Sequence, residues 1–309
     1  MLIPVERLTV RERERLRTRR RRWALVLAIV VAGVAVAAAA VYAVQRLEHH
    51  AATPAPPPPR VVHRAPKPRV AVSVAQARER SVANFARIAL PVFCGAPHGN
   101  EIALTFDDGP GPYTTAVLRT LRRYGAQATF FLVGNRIRYW RGLVAAEARA
   151  GAVGDHTWSH ADLLHLPRLG AVGEIERART AIEAAGGGGA RMFRPPYGLL
   201  SGALGRFLGT QSVLDVRWSV DSGDWLHGAT AATVLGRVAP GLHPGAIVLL
   251  HDLHPWTLRA LPRILALARA RHLRAVTVPE LLRSDPPSYA QLVADNRGRG
   301  CVRLTGQGE

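Results

Sequence analysis

From Gly99 onward the chain alternates short β-rich runs with amphipathic helical stretches, and no other feature restricts its fold so tightly. Strand-like runs lie at 101–107, 127–133, 152–155, 190–194, 212–220, 246–251 and 273–278. Helical periodicity fills most of the gaps, near 114–124, 137–150, 171–185, 230–238 and 258–271. A parallel neighbour needs a crossover long enough to bring the chain back to the same end of the sheet. Strand–helix alternation therefore predicts parallel strands in an α/β fold. About seven strands in so short a span predict a small, incomplete β/α barrel, with an open doubly wound sheet as the alternative. Gly186–Gly189 reads as a loop before the fourth strand.

Polar residues gather at or just beyond the C-terminal strand ends, where a β/α barrel assembles its chemistry. They are Asp107, Asp108, His156, Arg194, Asp221, Asp224 and His251. His156 and His160 in "DHTWSH" are four residues apart, a spacing that on a helical turn puts both imidazoles on one face. Two imidazoles and one carboxylate leave a cation with open positions for water, which can ionise near neutral pH. The adjacent aspartates of "TFDDGP" then divide the work, one binding the metal and the other taking a proton from the water. The turn at Gly109-Pro110 is expected to bend the backbone so that both carboxylates face the same rim.

Ahead of this region, residues 1–22 hold nine Arg against three Glu. Trp23 to Val44 is then a 22-residue stretch without charge. As a helix it would span about 33 Å, enough for a hydrocarbon core of about 30 Å. It reads as a signal-anchor with its basic end in the cytoplasm and everything after it outside; a cleaved signal peptide and secretion are the alternative. The Pro-rich residues 51–69 read as a spacer. The organisation expected is a basic tail (1–22), a transmembrane helix (23–44), linker and lead-in (45–80), catalytic domain (81–285) and C-terminal extension (286–309).

The formal net charge is +19, from 41 basic and 22 acidic residues, and every basic residue but Lys67 is arginine. So lopsided a ratio reflects a GC-rich coding bias as much as guanidinium chemistry, which discounts the residue type and not the charge. A basic chain suits anionic partners, but no nucleic-acid-binding motif is present and the apolar segment argues against nucleic acid. The two cysteines, Cys94 and Cys301, exclude a disulfide-rich scaffold or four-cysteine zinc ribbon. In an oxidising exterior they could tie the ends of the domain together; two free thiols are the alternative.

With these residues in place, the chain resembles the polysaccharide deacetylases of carbohydrate esterase family 4. Five motifs occur in order: "TFDDGP" (105–110), "HTWSH" (156–160), "RPPYG" (194–198), "DSGDW" (221–225) and "LLH" (249–251). The flanking "ATFFLVGN" and "VTVPELL" are similar too, and the resemblance covers about residues 99–283. It implies a distorted, partly open (β/α) barrel. It also implies one divalent cation, zinc by preference with cobalt, nickel or manganese as alternatives, on Asp108, His156 and His160. Asp107 would be the general base, held ionised by Arg194, and His251 the general acid, its pKa raised by Asp224. Trp225 and Leu249 would wall the acetyl slot, and the Tyr197 backbone N–H would help stabilise the oxyanion. Asp221 reads as a turn residue; His165, His227, His243, His254, His272 and Trp158 read as surface or packing residues.

The reaction implied is metal-dependent hydrolysis of an N-acetyl group, releasing acetate and a free amino sugar. A domain tethered outside a membrane meets the cell's own envelope first, so N-acetylglucosamine of peptidoglycan is the substrate expected. Chitin oligomers, an exopolysaccharide and acetylxylan are the alternatives. A metal-dependent envelope-binding protein without turnover is the alternative from another class.

Overall fold

The computed structural model describes residues 73–298 and residue 301. The basic tail, the apolar segment 23–44 and the Pro-rich spacer lie outside the described residues. Among the described residues no helix is long and apolar enough to cross a membrane.

The chain enters through helix α1 (Val74–Ile88), opened by a reciprocal capping box between Ser73 and Gln76. The boundary expected at residues 80 and 81 therefore falls inside a helix. The alternating core follows: β1 (Glu101–Gly109), α2 (Thr114–Tyr124), β2 (Ala128–Leu132), α3 (Arg141–Ala150), β3 (Gly151–Asp155), α4 (Arg168–Ala184) and β4 (Met192–Phe193). It continues with α5 (Gly202–Thr210), β5 (Leu214–Asp215), β6 (Val220–Asp221), α6 (Ala231–Gly241), β7 (Ile247–His251), α7 (Pro255–Ala270) and β8 (Arg274–Val276). Helices α8 (Val278–Ser284) and α9 (Tyr289–Asp295) follow. The helical stretch read at 137–150 is a 3-10 turn, Gly134–Tyr139, followed by α3. The run read as one strand at 212–220 is two short ones, β5 and β6, and they lie on different edges of the sheet.

All the strand pairs are parallel, and seven strands run in the order β5-β4-β3-β2-β1-β7-β6, with β8 paired to the start of β1. The chain itself forces this sheet to curl. Laid flat, seven strands would separate the outer pair by about 29 Å. Yet β5 and β6 are joined by only Val216 to Ser219, five Cα steps that reach at most about 18 Å. The edges must come round toward each other, and because β5 and β6 do not pair, the result is a partly open barrel with a seam. Val92 sits on the β5 side of that seam. It pairs with Val216, its N–H donates to the Asp215 carbonyl at 2.9 Å, and its carbonyl accepts from Arg217 N–H at 2.7 Å.

Central strand β1 is buried on both faces, as a parallel strand covered by helices should be. Ile102, Leu104 and Phe106 pack in one cluster with Val117 and Leu121 of α2 and with Ala260, Leu261 and Ile264 of α7. Alternation turns Ala103, Thr105 and Asp107 the other way, into the barrel. Side chains such as Leu104 and Ile264 each contribute about 1.5–3 kcal/mol on burial. That apolar framework is what can hold charged groups at the rim.

Candidate active site

Asp107 and Asp108 end β1, and strict alternation would send them to opposite faces. A β-bulge prevents this. Asp107 pairs with Phe131 and Gly109 with Leu132, which leaves Asp108 as the extra residue, in the left-handed region at φ 69°. The bend thus lies at Asp108 itself, one residue before the Gly109-Pro110 turn expected to make it. The same conformation recurs around the rim at Thr157 (φ 66°), His160 (φ 61°) and Tyr197 (φ 59°). Left-handed backbone at residues other than glycine costs energy and gathers where function fixes geometry.

His156 and His160 follow β3 on a loop, and not on the helical turn their spacing suggested. The two left-handed residues double the loop back. Thr157 N–H donates to Asp155 at 2.7 Å, and Gly134 N–H to the Thr157 carbonyl at 3.0 Å. The rings end with centroids 5.0 Å apart, and both Nε2 atoms face Asp108 Oδ1, at 3.5 Å from His156 and 3.2 Å from His160. His156 Nδ1 lies 2.6 Å from the Arg194 carbonyl, which can only accept, so the proton is on Nδ1 and the Nε2 lone pair is free. Burial pushes the His156 imidazole down to about 3, so it is neutral. Asp108 Oδ1 is buried and has no hydrogen-bond donor. The three donor atoms lie within 4.8 Å of one another. Two imidazole nitrogens and an orphaned carboxylate oxygen fit a divalent cation.

Beside this trio Asp107 is buried and bound through Oδ1 to Arg194 Nη1 at 2.7 Å. Burial raises the Asp107 carboxyl above its ordinary value, and the Arg194 charge offsets part of the rise. Arg194 is fully buried, with its guanidinium over the Phe131 ring. It donates to Thr105 Oγ1 at 2.7 Å, to the Val216 carbonyl at 3.1 Å and to the Arg217 carbonyl at 2.9 Å. Those two carbonyls belong to the segment between β5 and β6, so Arg194 holds the Asp107 carboxylate and links that segment to β1.

His251 ends β7, directly beside Asp107 in the parallel pairing. Its Nδ1 meets Asp224 Oδ1 at 2.7 Å, and its backbone N–H donates to Asp224 Oδ2 at 2.8 Å. Thr257 Oγ1 donates to the same Oδ2 at 2.6 Å, and Trp256 Nε1 to the Asp224 carbonyl at 2.7 Å. Burial opposes charge on His251. The hydrogen bond and charge of Asp224, backed by Asp107 and Asp108, outweigh it and push the imidazole up to about 9. Burial likewise opposes the Asp224 anion, but its bonds to His251 and Thr257 hold its carboxyl below the ordinary range.

These groups open on one cleft of about 290 Å³. Leu249 is buried at its floor, while Trp225 and Tyr197 stand exposed at its edges. Asp221 accepts from Trp225 Nε1 at 3.2 Å and from Gly223 N–H at 2.8 Å, so this turn residue also fixes the indole. The Tyr197 ring rests edge-on against His160 at 4.9 Å. His254, read as a surface or packing residue, stacks on Trp256 at 4.8 Å and lies 6.2 Å from His251. Trp158 lies over Arg177, 3.8 Å from its guanidinium. Trp256 and Thr257 carry no mark in the sequence, and Thr105 only its place in "TFDDGP"; their partners lie 32 or more positions away. Cys94 and Cys301 are joined by a disulfide, near the opposite end of β7 from His251, where Cys94 pairs with Ala246.

The sequence pattern of a family described as polysaccharide deacetylase matches residues 95–209. A peptidoglycan-N-acetylglucosamine deacetylase of Bacillus cereus is 30% identical over 198 residues, which cover 62% of this chain and 72% of the relative. This chain belongs to the polysaccharide deacetylase family. The peptidoglycan-N-acetylglucosamine deacetylase PgdA of Listeria monocytogenes is 34% identical over 196 residues, 63% of this chain. The matched region is 41% of that relative's length. Among solved structures, a family 4 carbohydrate esterase from Streptomyces lividans in complex with acetate superposes with a TM-score of 0.55. It is 35% identical, and the match covers 59% of this chain and 95% of the esterase.

Proposed function

We propose that the chain is a metal-dependent hydrolase that removes the acetyl group from N-acetylglucosamine in peptidoglycan. One observation carries the reading: the Asp108, His156 and His160 donors share one cleft with Asp107, bound to Arg194, and with His251, bound to Asp224. Family membership and relatives that act on peptidoglycan support it.

Asp108, His156 and His160 would hold the cation, zinc by preference for a set of two imidazoles and one carboxylate. When bound it supplies Lewis-acid polarisation of the acetyl carbonyl and lowers the pKa of a neighbouring water. Asp107 takes the proton from the attacking water, and Arg194 fixes the carboxylate's position throughout. His251, protonated at neutral pH because Asp224 holds its charge, gives a proton to the departing nitrogen. The Tyr197 N–H would share the oxyanion's charge. Leu249 and Trp225, both lining the cleft, would wall the slot for the acetyl methyl.

The apolar segment 23–44 and the arginines before it support a membrane anchor with the catalytic domain outside the cell. Protease shaving of intact cells, followed by immunodetection of the domain, is the check; a domain protected in intact cells would reject that orientation. For the reaction, acetate release by the full chain is measured on peptidoglycan, chitin oligomers and acetylxylan, after metal stripping and after reconstitution. Activity on peptidoglycan that vanishes on stripping and returns with zinc is expected. Turnover confined to the other two polymers would overturn the wall substrate, and turnover untouched by stripping would overturn the metal.

A further inference from the structure

The outer helices of the barrel are not charged alike. Helix α2 carries Arg119, Arg122 and Arg123, and α7 carries Arg259, Arg263 and Arg269, all exposed, and neither helix has an Asp or Glu. The two helices pack side by side, with α6 against the far flank of α7 and α3 against α2. Those neighbours extend the pattern: α6 adds exposed Arg237 and no acid, and the one acid of α3, Glu147, is fully buried. Helix α4, on the same barrel, mixes Glu174, Glu176 and Glu183 with Arg168, Arg177 and Arg179. A coding bias toward arginine explains arginine in place of lysine; it does not explain why four neighbouring helices, α3, α2, α7 and α6, expose no Asp or Glu.

The arrangement works against the helices themselves. Arg119 and Arg123, and Arg259 and Arg263, are each four residues apart, a like-charge spacing that weakens a helix. Among the described residues none of the six is within ion-pair distance of a carboxylate. Helix α2 begins six residues after Asp108 and α7 four after His251, so both rows of guanidinium groups descend from the rim.

We infer that the α2–α7 face is a docking surface for a linear phosphodiester polymer. The arginine fork matches phosphate oxygens. A chain with a charge on each repeat can run along two rows of arginines without needing a concave pocket. A folded acidic protein would want an apolar centre to its interface. A bilayer would want apolar side chains to insert. Among the described residues Tyr124, at the foot of α2, is the one large apolar side chain these two helices expose. The inference does not depend on the acetyl chemistry, so it stands or falls separately from the deacetylase reading.

The test measures binding of the full chain to poly(glycerol phosphate), with anionic phosphatidylglycerol vesicles as a second arm. Affinity is expected to fall steeply between about 0.05 M and about 0.5 M salt. The triple variant Arg119→Glu, Arg123→Glu, Arg263→Glu is expected to lose about tenfold or more in affinity with a shallower salt slope. The matched variant Arg87→Glu, Arg168→Glu, Arg206→Glu changes net charge equally on α1, α4 and α5, and should lose no more than about twofold. Equal losses in the two variants would overturn the inference, since net charge alone would then explain binding. So would a vesicle affinity that the triple variant weakens, in the absence of polymer binding; the affinity supplied by the apolar segment 23–44 is the same in both variants. Phenylglyoxal mapping of the unmodified chain gives an answer that does not need the variants to fold. Polymer should protect Arg119, Arg123 and Arg263 and leave Arg87, Arg168 and Arg206 reactive; uniform protection or none rejects the site.

Discussion

The cleft is flanked by two buried ion pairs of opposite sense. On one side the reactive group is an anion, Asp107, and its partner is a cation, Arg194. On the other the reactive group is a cation, His251, and its partner is an anion, Asp224. Each partner stabilises the charge that the proposed reaction asks of its neighbour. The pairs differ in what stands behind them. Arg194 is bound to carbonyls of the barrel's seam, whereas Asp224 is bound to Trp256 and Thr257 at the start of one helix. The proposed base is therefore coupled to the segment that joins β5 to β6, and the proposed acid to a local hydrogen-bond cage.

Breaking the first pair from behind should have the largest effect. Arg194→Met leaves Asp107 buried without its counter-charge and two seam carbonyls without donors, at a cost of about 3–5 kcal/mol. Denaturant unfolding should show that loss together with loss of turnover; a variant as stable as the parent would deny the link to the seam. Asp107→Asn separates chemistry from binding. Turnover should fall by about 10²–10⁴, while calorimetry shows metal still taken up on Asp108, His156 and His160. Unchanged turnover would instead favour a binding protein.

Asp224→Asn tests the opposite pair by pH. With Asp224 in place, activity should decline as the pH rises through about 9, where His251 loses its proton. The folded imidazolium is favoured, so its contribution to stability is complete below 6.5 and is lost as pH rises toward about 9. The variant removes the main charge raising that pKa, and its alkaline limb should move down by about one unit or more. A limb that does not move would mean His251 is not the acid. Thr257→Val should have the smallest effect, about 1 kcal/mol in stability and a slight downward shift of the same limb. A loss as large as that of Asp224→Asn would show that the cage, rather than the charge, sets the histidine.

The uneven legibility of the sequence follows the same division. Most of β1, β2, β3 and β7 could be read from runs of apolar and β-branched residues, and Asp107, His156 and His251 from their places just beyond such runs. The placement of Asp108 could not, because a bulge is decided by how β1 pairs with β2, not by composition. The His156–His160 spacing suggested a helical turn, but Thr157 is left-handed, its carbonyl held by the distant Gly134 N–H and its own N–H by the neighbouring Asp155 side chain. The split of 212–220 was hidden because Val216 to Ser219 leave the sheet only where its two edges fail to meet. Helix α1 was hidden by its own composition, with Arg78, Glu79 and Arg80 interrupting its apolar positions.

The disulfide has a mechanical meaning. Cys94 lies just past α1 and Cys301 beyond α9, and 207 positions of chain separate them. A pull applied between the two ends of the polypeptide enters at one sulfur and leaves by the other. The barrel, with its seam and both ion pairs, hangs on that bond as a side loop that carries no tension. A single proteolytic nick anywhere in the loop would likewise leave its fragments covalently joined.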